Sequence, residues 1–129
     1  MRVLAFLAGL SAAPALACAP DPDALALTPE ATASLVAYAT LAPGRLSQPF
    51  EMQLVFCGED APAIQRVEVS AIMPAHQHGM NYEPVVTALD DGRFSVSGMV
   101  FHMPGSWQVQ VAAFGDGEPV FYTLEVEAR

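Results

Sequence analysis

The chain has 129 residues, of which 53% are hydrophobic, and its 14 acidic residues against five arginines and no lysine give a net charge of −9 at pH 7. This length corresponds to about one domain, and the apolar fraction is sufficient for a buried core. The acidic excess and the absence of a basic cluster exclude nucleic acid and anionic membrane surfaces from the expected partners, because like charges repel.

The first 17 residues have the layout of a secretory signal peptide. Arg2 supplies a positive charge, residues 3–10 are apolar, and small residues lead up to Ala17. The apolar run is too short for a membrane span, which needs about 20 residues, and no later run reaches that length. We therefore expect cleavage after Ala17, no transmembrane segment in the mature chain, and a periplasmic or secreted protein.

Cleavage after Ala17 leaves Cys18 as the first residue, which is also the position at which a bacterial lipoprotein is acylated. Such a signal usually has leucine three residues before the cysteine, where this chain has Ala15. An ordinary cleavage site is therefore favoured, and a lipid anchor at Cys18 is the alternative.

The chain has two cysteines, Cys18 and Cys57. In an exported protein such a pair predicts a disulfide, which stabilises the fold by roughly 3 to 4 kcal/mol on the chain-entropy model. Cys57 falls on the outward side of its strand, so the preceding segment must run along the outside of a sheet to reach it. A blue-copper centre is not expected, because no histidine follows Cys57 until His76.

Beyond the signal, residues 18–33 form an extended lead-in rich in proline, alanine and acid, and residues 34–129 form one β-domain. Apolar and polar residues alternate in short segments, and Asp90-Asp91-Gly92 and Gly115-Asp116-Gly117 are typical of tight hairpins. The pattern predicts an all-β fold, an immunoglobulin-like antiparallel β-sandwich of about seven strands. The expected strands are 35–40, 50–57, 66–73, 85–89, 94–100, 107–113 and 122–127.

All three histidines and three of the six methionines lie in two segments, 73–80 (MPAHQHGM) and 101–107 (FHMPGSW). The first follows the third expected strand and the second follows the fifth. In a chain that reverses at every connection these strands run in the same direction, so both segments are expected at one end of the sandwich. We therefore treat five residues as one candidate metal site: His76, His78, Met80, His102 and Met103.

These two segments, with DDGRFSVSG between them, resemble the YtkA-like family of small bacterial exported β-sandwich domains. The likeness runs from about Leu35 to Val126 and is most specific in the MPxHxHGM and FHMPGxW motifs. It implies a seven-stranded sandwich outside the cytoplasm. Metal handling, copper especially, is what the resemblance leads us to expect.

Imidazole and thioether donors together suit copper(I), and the imidazoles suit copper(II), whereas methionine is a poor zinc ligand. A copper ion is therefore the expected cofactor. The alternative interpretation is structural: His102 continues the apolar phase of Phe94 and Val96 and could be a buried, hydrogen-bonded histidine. Met103 would then face the other way, unless a bulge at Gly98 shifts the phase.

No serine or cysteine nucleophile sits beside a histidine and no carboxylate pair forms a recognisable motif, so we expect no enzymatic activity. The sequence favours an exported, periplasmic metal-binding module that binds or carries copper. The alternative is a non-catalytic structural or accessory domain that contacts another periplasmic or membrane protein.

Overall fold

The structure is a computed structural model that describes residues 18–129. The predicted signal peptide, residues 1–17, lies outside the described residues. Within them, no helix has the length and hydropathy that crossing a bilayer requires.

Two five-stranded antiparallel sheets pack face to face as a sandwich. The first sheet has the order β1-β3-β4-β8-β7 and the second β2-β10-β9-β5-β6. The strands, in chain order, are β1 (Leu25–Ala26), β2 (Thr28–Pro29), β3 (Val36–Leu41), β4 (Phe50–Cys57), β5 (Arg66–Met73), β6 (His78–Gly79), β7 (Val85–Ala88), β8 (Arg93–Met99), β9 (Gly105–Phe114) and β10 (Val120–Ala128).

The seven longer strands correspond to the seven predicted ones. Without the two-residue strands, the sheet orders are β3-β4-β8-β7 and β10-β9-β5, which is the arrangement of a constant-type immunoglobulin domain. The predicted immunoglobulin-like sandwich is confirmed. The largest fully buried side chains between the sheets are Trp107, Tyr122, Phe56, Met52, Met73 and Met99.

A β-bulge in β8 changes the face on which the following residues lie. Met52 pairs with Val96, but Phe50 pairs with Met99, so β8 has one extra residue here, and Gly98 adopts a φ of +78°. The apolar face therefore continues through Met99 and Phe101, both buried. The simple alternation that placed His102 in phase with Val96 is wrong for this reason.

The lead-in joins both sheets. Residue Cys18 lies on the outer face of the first sheet, where Arg93 donates a hydrogen bond to the Ala19 carbonyl at 2.8 Å. The chain then pairs with β3 through β1 and with β10 through β2. Leu27, between these two short strands, is buried, so the crossing from one sheet to the other is anchored in the core.

The predicted disulfide between Cys18 and Cys57 is confirmed, with the two Cα atoms 5.4 Å apart. Cys57 is the last residue of β4 and faces outward, and the lead-in reaches it along the outside of the sheet, as expected. A Cys18 sulfur in this bond has no valence left for the thioether of a lipid anchor. The disulfide and the lipoprotein alternative therefore exclude each other.

Replacing both cysteines by serine is expected to lower the free energy of unfolding by about 4 kcal/mol on the chain-entropy model, because the bridge spans 39 positions. Urea denaturation followed by circular dichroism measures the difference. Mild reduction of the wild-type protein should reproduce the loss and should leave the double variant unchanged. Equal unfolding midpoints in the two proteins would contradict the expectation.

A buried tyrosine gives the fold a predictable response to alkali. The Tyr122 hydroxyl donates to the Leu35 carbonyl at 2.8 Å, and burial raises the pKa of Tyr122 above its ordinary 10.0. Above that pH the unfolded chain loses this proton first, so the folded state binds more protons and the free energy of unfolding falls as pH rises.

Tyr122→Phe should remove this contribution to the fall in the free energy of unfolding at alkaline pH, because phenylalanine does not titrate. It should also cost about 1 to 2 kcal/mol at neutral pH through the lost hydrogen bond. Urea unfolding at neutral and alkaline pH measures both effects. The half-buried Tyr38, changed to phenylalanine, is the matched control, and an equal effect there would contradict the assignment to Tyr122.

Candidate metal centre

A tight hairpin between β5 and β6 positions His76 and His78. The Met73 carbonyl accepts hydrogen bonds from the amides of His76 at 3.1 Å and Gln77 at 2.9 Å. Gln77 takes a φ of +53°, and His78 then pairs with Met73 across the ladder. His78 is therefore fixed on a strand and half-buried, while His76 stands exposed at the turn.

The turn between β8 and β9 positions His102. Trp107 Nε1 donates to the Met103 carbonyl at 3.0 Å, which closes the turn onto the start of β9. Gly105 has a φ of +122°, and a Cβ there would meet the Met73 methyl carbon at 3.1 Å. The turn accordingly requires glycine at this position, and it holds Met103 and His102 close to the β5–β6 hairpin.

The two segments meet above a buried indole. Trp107 is 0% exposed, and its ring centre lies 6.1 Å from that of His78 and 5.4 Å from that of His102, both edge-on. Phe101 also stacks on Trp107, with the two ring centres 4.9 Å apart and an interplanar angle of 18°. The buried indole thus contacts both imidazoles from the side of the core.

The ring centres of His78 and His102 lie at a separation at which both rings could bind one metal ion. The ring centres of His78 and His102 lie 5.3 Å apart, and those of His76 and His78 lie 5.9 Å apart. A nitrogen bound to a metal at about 2.0 Å places its ring centre about 3.2 Å from the ion, so two rings at a tetrahedral angle are about 5.2 Å apart. His78 and His102 are close enough to reach one ion.

Among the described residues, one buried imidazole nitrogen has no hydrogen-bond partner. His102 Nδ1 is buried and makes no hydrogen bond among the described residues, whereas His78 Nδ1 lies 3.3 Å from the Gly79 carbonyl. Leaving a buried polar atom unsatisfied costs about 1 to 3 kcal/mol. The structural alternative, a core histidine tied by hydrogen bonds, is therefore not met at this atom.

The thioethers differ in their surroundings. Met80 and Met103 are partly buried and pack against the edge of the core, and the Met80 amide donates to the Ala71 carbonyl at 3.1 Å. Met73 is fully buried inside the core. The first two lie on the segments that carry the imidazoles, and Met73 serves packing.

Within residues 18–129 no three His, Cys, Asp or Glu side chains form a group that could hold a metal ion. Ring contacts run from His76 to His78 and from His78 to His102. The arrangement therefore offers a pair of imidazoles, with thioethers beside them and a third imidazole at the exposed side. Such a mixed donor set suits copper(I), which accepts thioether sulfur, better than zinc.

Trp107 is not among the site residues expected from the sequence. Its indole nevertheless contacts two candidate ligands, His78 and His102, and its Nε1 donates to the backbone carbonyl of a third, Met103. The signal was present in the FHMPGSW motif, where Trp107 follows His102 by five positions. The contact itself depends on the bulge at Gly98 and on the turn at Gly105.

The chain is similar to a known protein family. The curated proteins and the solved structures contain no significant match to the chain. The family model described as YtkA-like matches residues 48–112, half of the 129-residue chain. This is narrower than the likeness expected from Leu35 to Val126, but it contains both histidine segments and Trp107. The chain therefore belongs to the YtkA-like family.

Proposed function

We propose that the protein is an exported, non-catalytic module that binds and carries copper, with His78 and His102 as the central ligands. The observation that carries this proposal is the pair of imidazoles 5.3 Å apart, one of which has a buried nitrogen without a hydrogen-bond partner in residues 18–129. Met80 or Met103 supplies a thioether, and His76 lies on the exposed side of this pair.

The fold supports this role by preorganising the ligands. β-Ladder pairing holds His78, and the Trp107 hydrogen bond holds the turn that carries His102 and Met103. Ligands fixed in this way lose little conformational entropy when they bind, which favours affinity. The Cys18–Cys57 disulfide is typical of an oxidising compartment such as the periplasm.

Copper retention by the mature chain tests the proposal. The protein is loaded with copper(I) under ascorbate, which avoids thiols that would reduce the disulfide, and then desalted. We expect one copper per chain and a change in the fluorescence of the single tryptophan. Retention should fall on acidification, because protons compete with the metal for the imidazole nitrogens. Loss of both copper(I) and copper(II) on desalting would contradict the proposal.

A second candidate function, contact with a protein partner, is favoured by a separate feature. β9 runs from the histidine end to a groove of about 800 Å³ at the opposite end of the sandwich. Phe121, which is 44% exposed, lies in this groove, and none of the described residues that line it is basic. Its acidic lining residues are Glu30, Asp60, Asp116 and Glu118.

A basic partner segment with apolar side chains fits this groove by charge and by hydrophobicity. Titration with a lysine–leucine peptide tests the fit, with a glutamate–leucine peptide of equal length as the control. Shifts of the backbone amide signals of residues 113–121 with the basic peptide alone would support this candidate. Equal responses to both peptides, or none, would contradict it.

A further inference from the structure

We infer that the free edge of β7 is a docking site for an extended segment of a partner protein, one with an uncharged, β-branched centre and basic residues at both ends. The segment adds a strand to the first sheet beside β7, a mode of recognition known as β-augmentation. This docking does not involve the histidines or copper, so it goes beyond the proposed function.

β7 is the longest of the four edge strands. The two sheets end in β1 and β7 and in β2 and β6. The other three edge strands have two residues each, whereas β7 has four. Proteins usually protect an exposed edge by keeping its strand very short or by placing charged side chains on it. Residues 85–89 (VVTAL) carry no charge, so neither device protects this strand.

A backbone hydrogen bond shows which groups of β7 face the free edge. The Leu89 amide, just after β7, donates to the Arg93 carbonyl of β8 at 2.8 Å. Successive residues of a strand direct their N–H and C=O groups to opposite sides. Leu89 and the residues two and four before it therefore face β8, whereas Val86 and Ala88 face away from it. In the described part of the chain only β8 pairs with β7, so the backbone groups of Val86 and Ala88 are available to a further strand.

The side chains at this edge are apolar and exposed. Tyr82, Val85 and Leu89 are 66%, 63% and 50% exposed, and they are three of the six large hydrophobic side chains that are exposed among residues 18–129. Ala88 is exposed as well, although it pairs with Phe94 of β8, which is buried. The edge is thus uncovered, and an added strand buries apolar surface in addition to pairing backbone groups.

Acidic residues flank the uncharged strand. Glu83 lies just before it, and Asp90 and Asp91 follow Leu89 directly. A strand rises about 3.3 Å per residue, so basic residues at both ends of a five-residue segment come close to these carboxylates. A second copy of β7 fits less well. Antiparallel pairing centred on Thr87 sets Glu83 of each copy against Asp91 of the other, and like charges directly opposite are destabilising.

Exchange of the backbone amides with water, measured by NMR, tests the inference with the peptide KKVTVTVKK as the partner segment. Exchange of the Val86 and Ala88 amides should slow by more than about tenfold, because each gains a hydrogen-bond acceptor. The amides of Thr87 and Leu89 already face β8 and should slow less. The peptide EEVTVTVEE, which is repelled by the flanking carboxylates, is the control.

Three results would overturn the inference. One is equal slowing along the whole strand, and another is equal slowing with the two peptides. The third is slowing confined to residues 113–121, which places the basic peptide in the groove at the other site. Slowing at Val86 and Ala88 that depends on protein concentration without any peptide would show that a second copy occupies the edge, and it would overturn the choice of partner.

A charge variant of the protein gives a second measurement. Glu83→Gln with Asp91→Asn removes two flanking charges, and asparagine tolerates the positive φ of position 91. Affinity for KKVTVTVKK should fall by about fivefold to tenfold at low salt, and its dependence on salt should weaken. The matched control, Asp23→Asn with Glu125→Gln, makes the same change in net charge away from this edge. Equal affinities in the two variants would contradict the assignment.

The outcome for this edge is separate from the outcome for copper. A protein that retains no copper can still bind the basic peptide at β7, and a protein that ignores the peptide can still retain copper.

Discussion

Replacing His78 and His102 together by alanine is expected to abolish copper retention. The two rings are the imidazoles that contact Trp107. Their removal leaves only the exposed His76 and the two thioethers as donors. Affinity should fall by more than about a hundredfold, which corresponds to about 2.8 kcal/mol. Competition with a chelator of known affinity measures the change.

The fold should survive this double substitution. Both side chains are half-buried and neither belongs to the core between the sheets, so the free energy of unfolding should fall by only about 1 to 2 kcal/mol. A matched control is the pair Gln53→Ala and Ser95→Ala, which removes two touching polar side chains from the first sheet. Full copper retention by the histidine variant, or loss in the control, would contradict the assignment.

The seven longer strands could be predicted from the sequence because their signal is local. In β5 and β9 the side chains alternate between core and solvent, and Asp91-Gly92 provides the positive φ angles of the β7–β8 turn. The meeting of the two histidine segments could also be predicted, since it follows from strand direction alone. Among the seven longer strands only β7 lies between β5 and β8, so a chain that reverses at each connection of these strands places the ends of β5 and β8 at the same end of the sandwich.

Other features depend on contacts between distant residues, which no local pattern encodes. The strands β1, β2 and β6 have two residues each, too few for any periodicity, and they form because a longer strand offers them a free edge. The bulge at Gly98 was anticipated as an alternative, but its consequence, the burial of Phe101 on Trp107, required the structure. The rotamers of Met80 and Met103 depend on packing at the core edge in the same way.

Trp107 links the stability of the fold to the geometry of the site. The same side chain fills the space between the sheets, stacks on Phe101, contacts two imidazoles and donates to the Met103 carbonyl. Its ring and its N–H group have separable roles. Packing requires a large flat ring, whereas the turn that carries His102 requires the hydrogen-bond donor.

Two substitutions of Trp107 are therefore expected to differ. Trp107→Ala should lower the free energy of unfolding by about 3 to 5 kcal/mol, because it empties a fully buried site. Trp107→Phe keeps most of the ring but loses the N–H group, so it should cost about 1 to 3 kcal/mol, part of it from the unsatisfied Met103 carbonyl. Urea denaturation followed by circular dichroism measures both values.

The phenylalanine variant also tests whether the indole N–H positions the site. With the 102–104 turn no longer held, copper affinity should fall by about tenfold, although His78, His102 and both thioethers remain. Affinity is measured under conditions in which circular dichroism shows the variant to be fully folded, so that a lower affinity does not reflect unfolding. Phe101→Leu, which disturbs the same stack but leaves the Trp107 hydrogen bond in place, is the control and should retain more affinity than Trp107→Phe. Wild-type affinity in Trp107→Phe would show that packing alone positions His102.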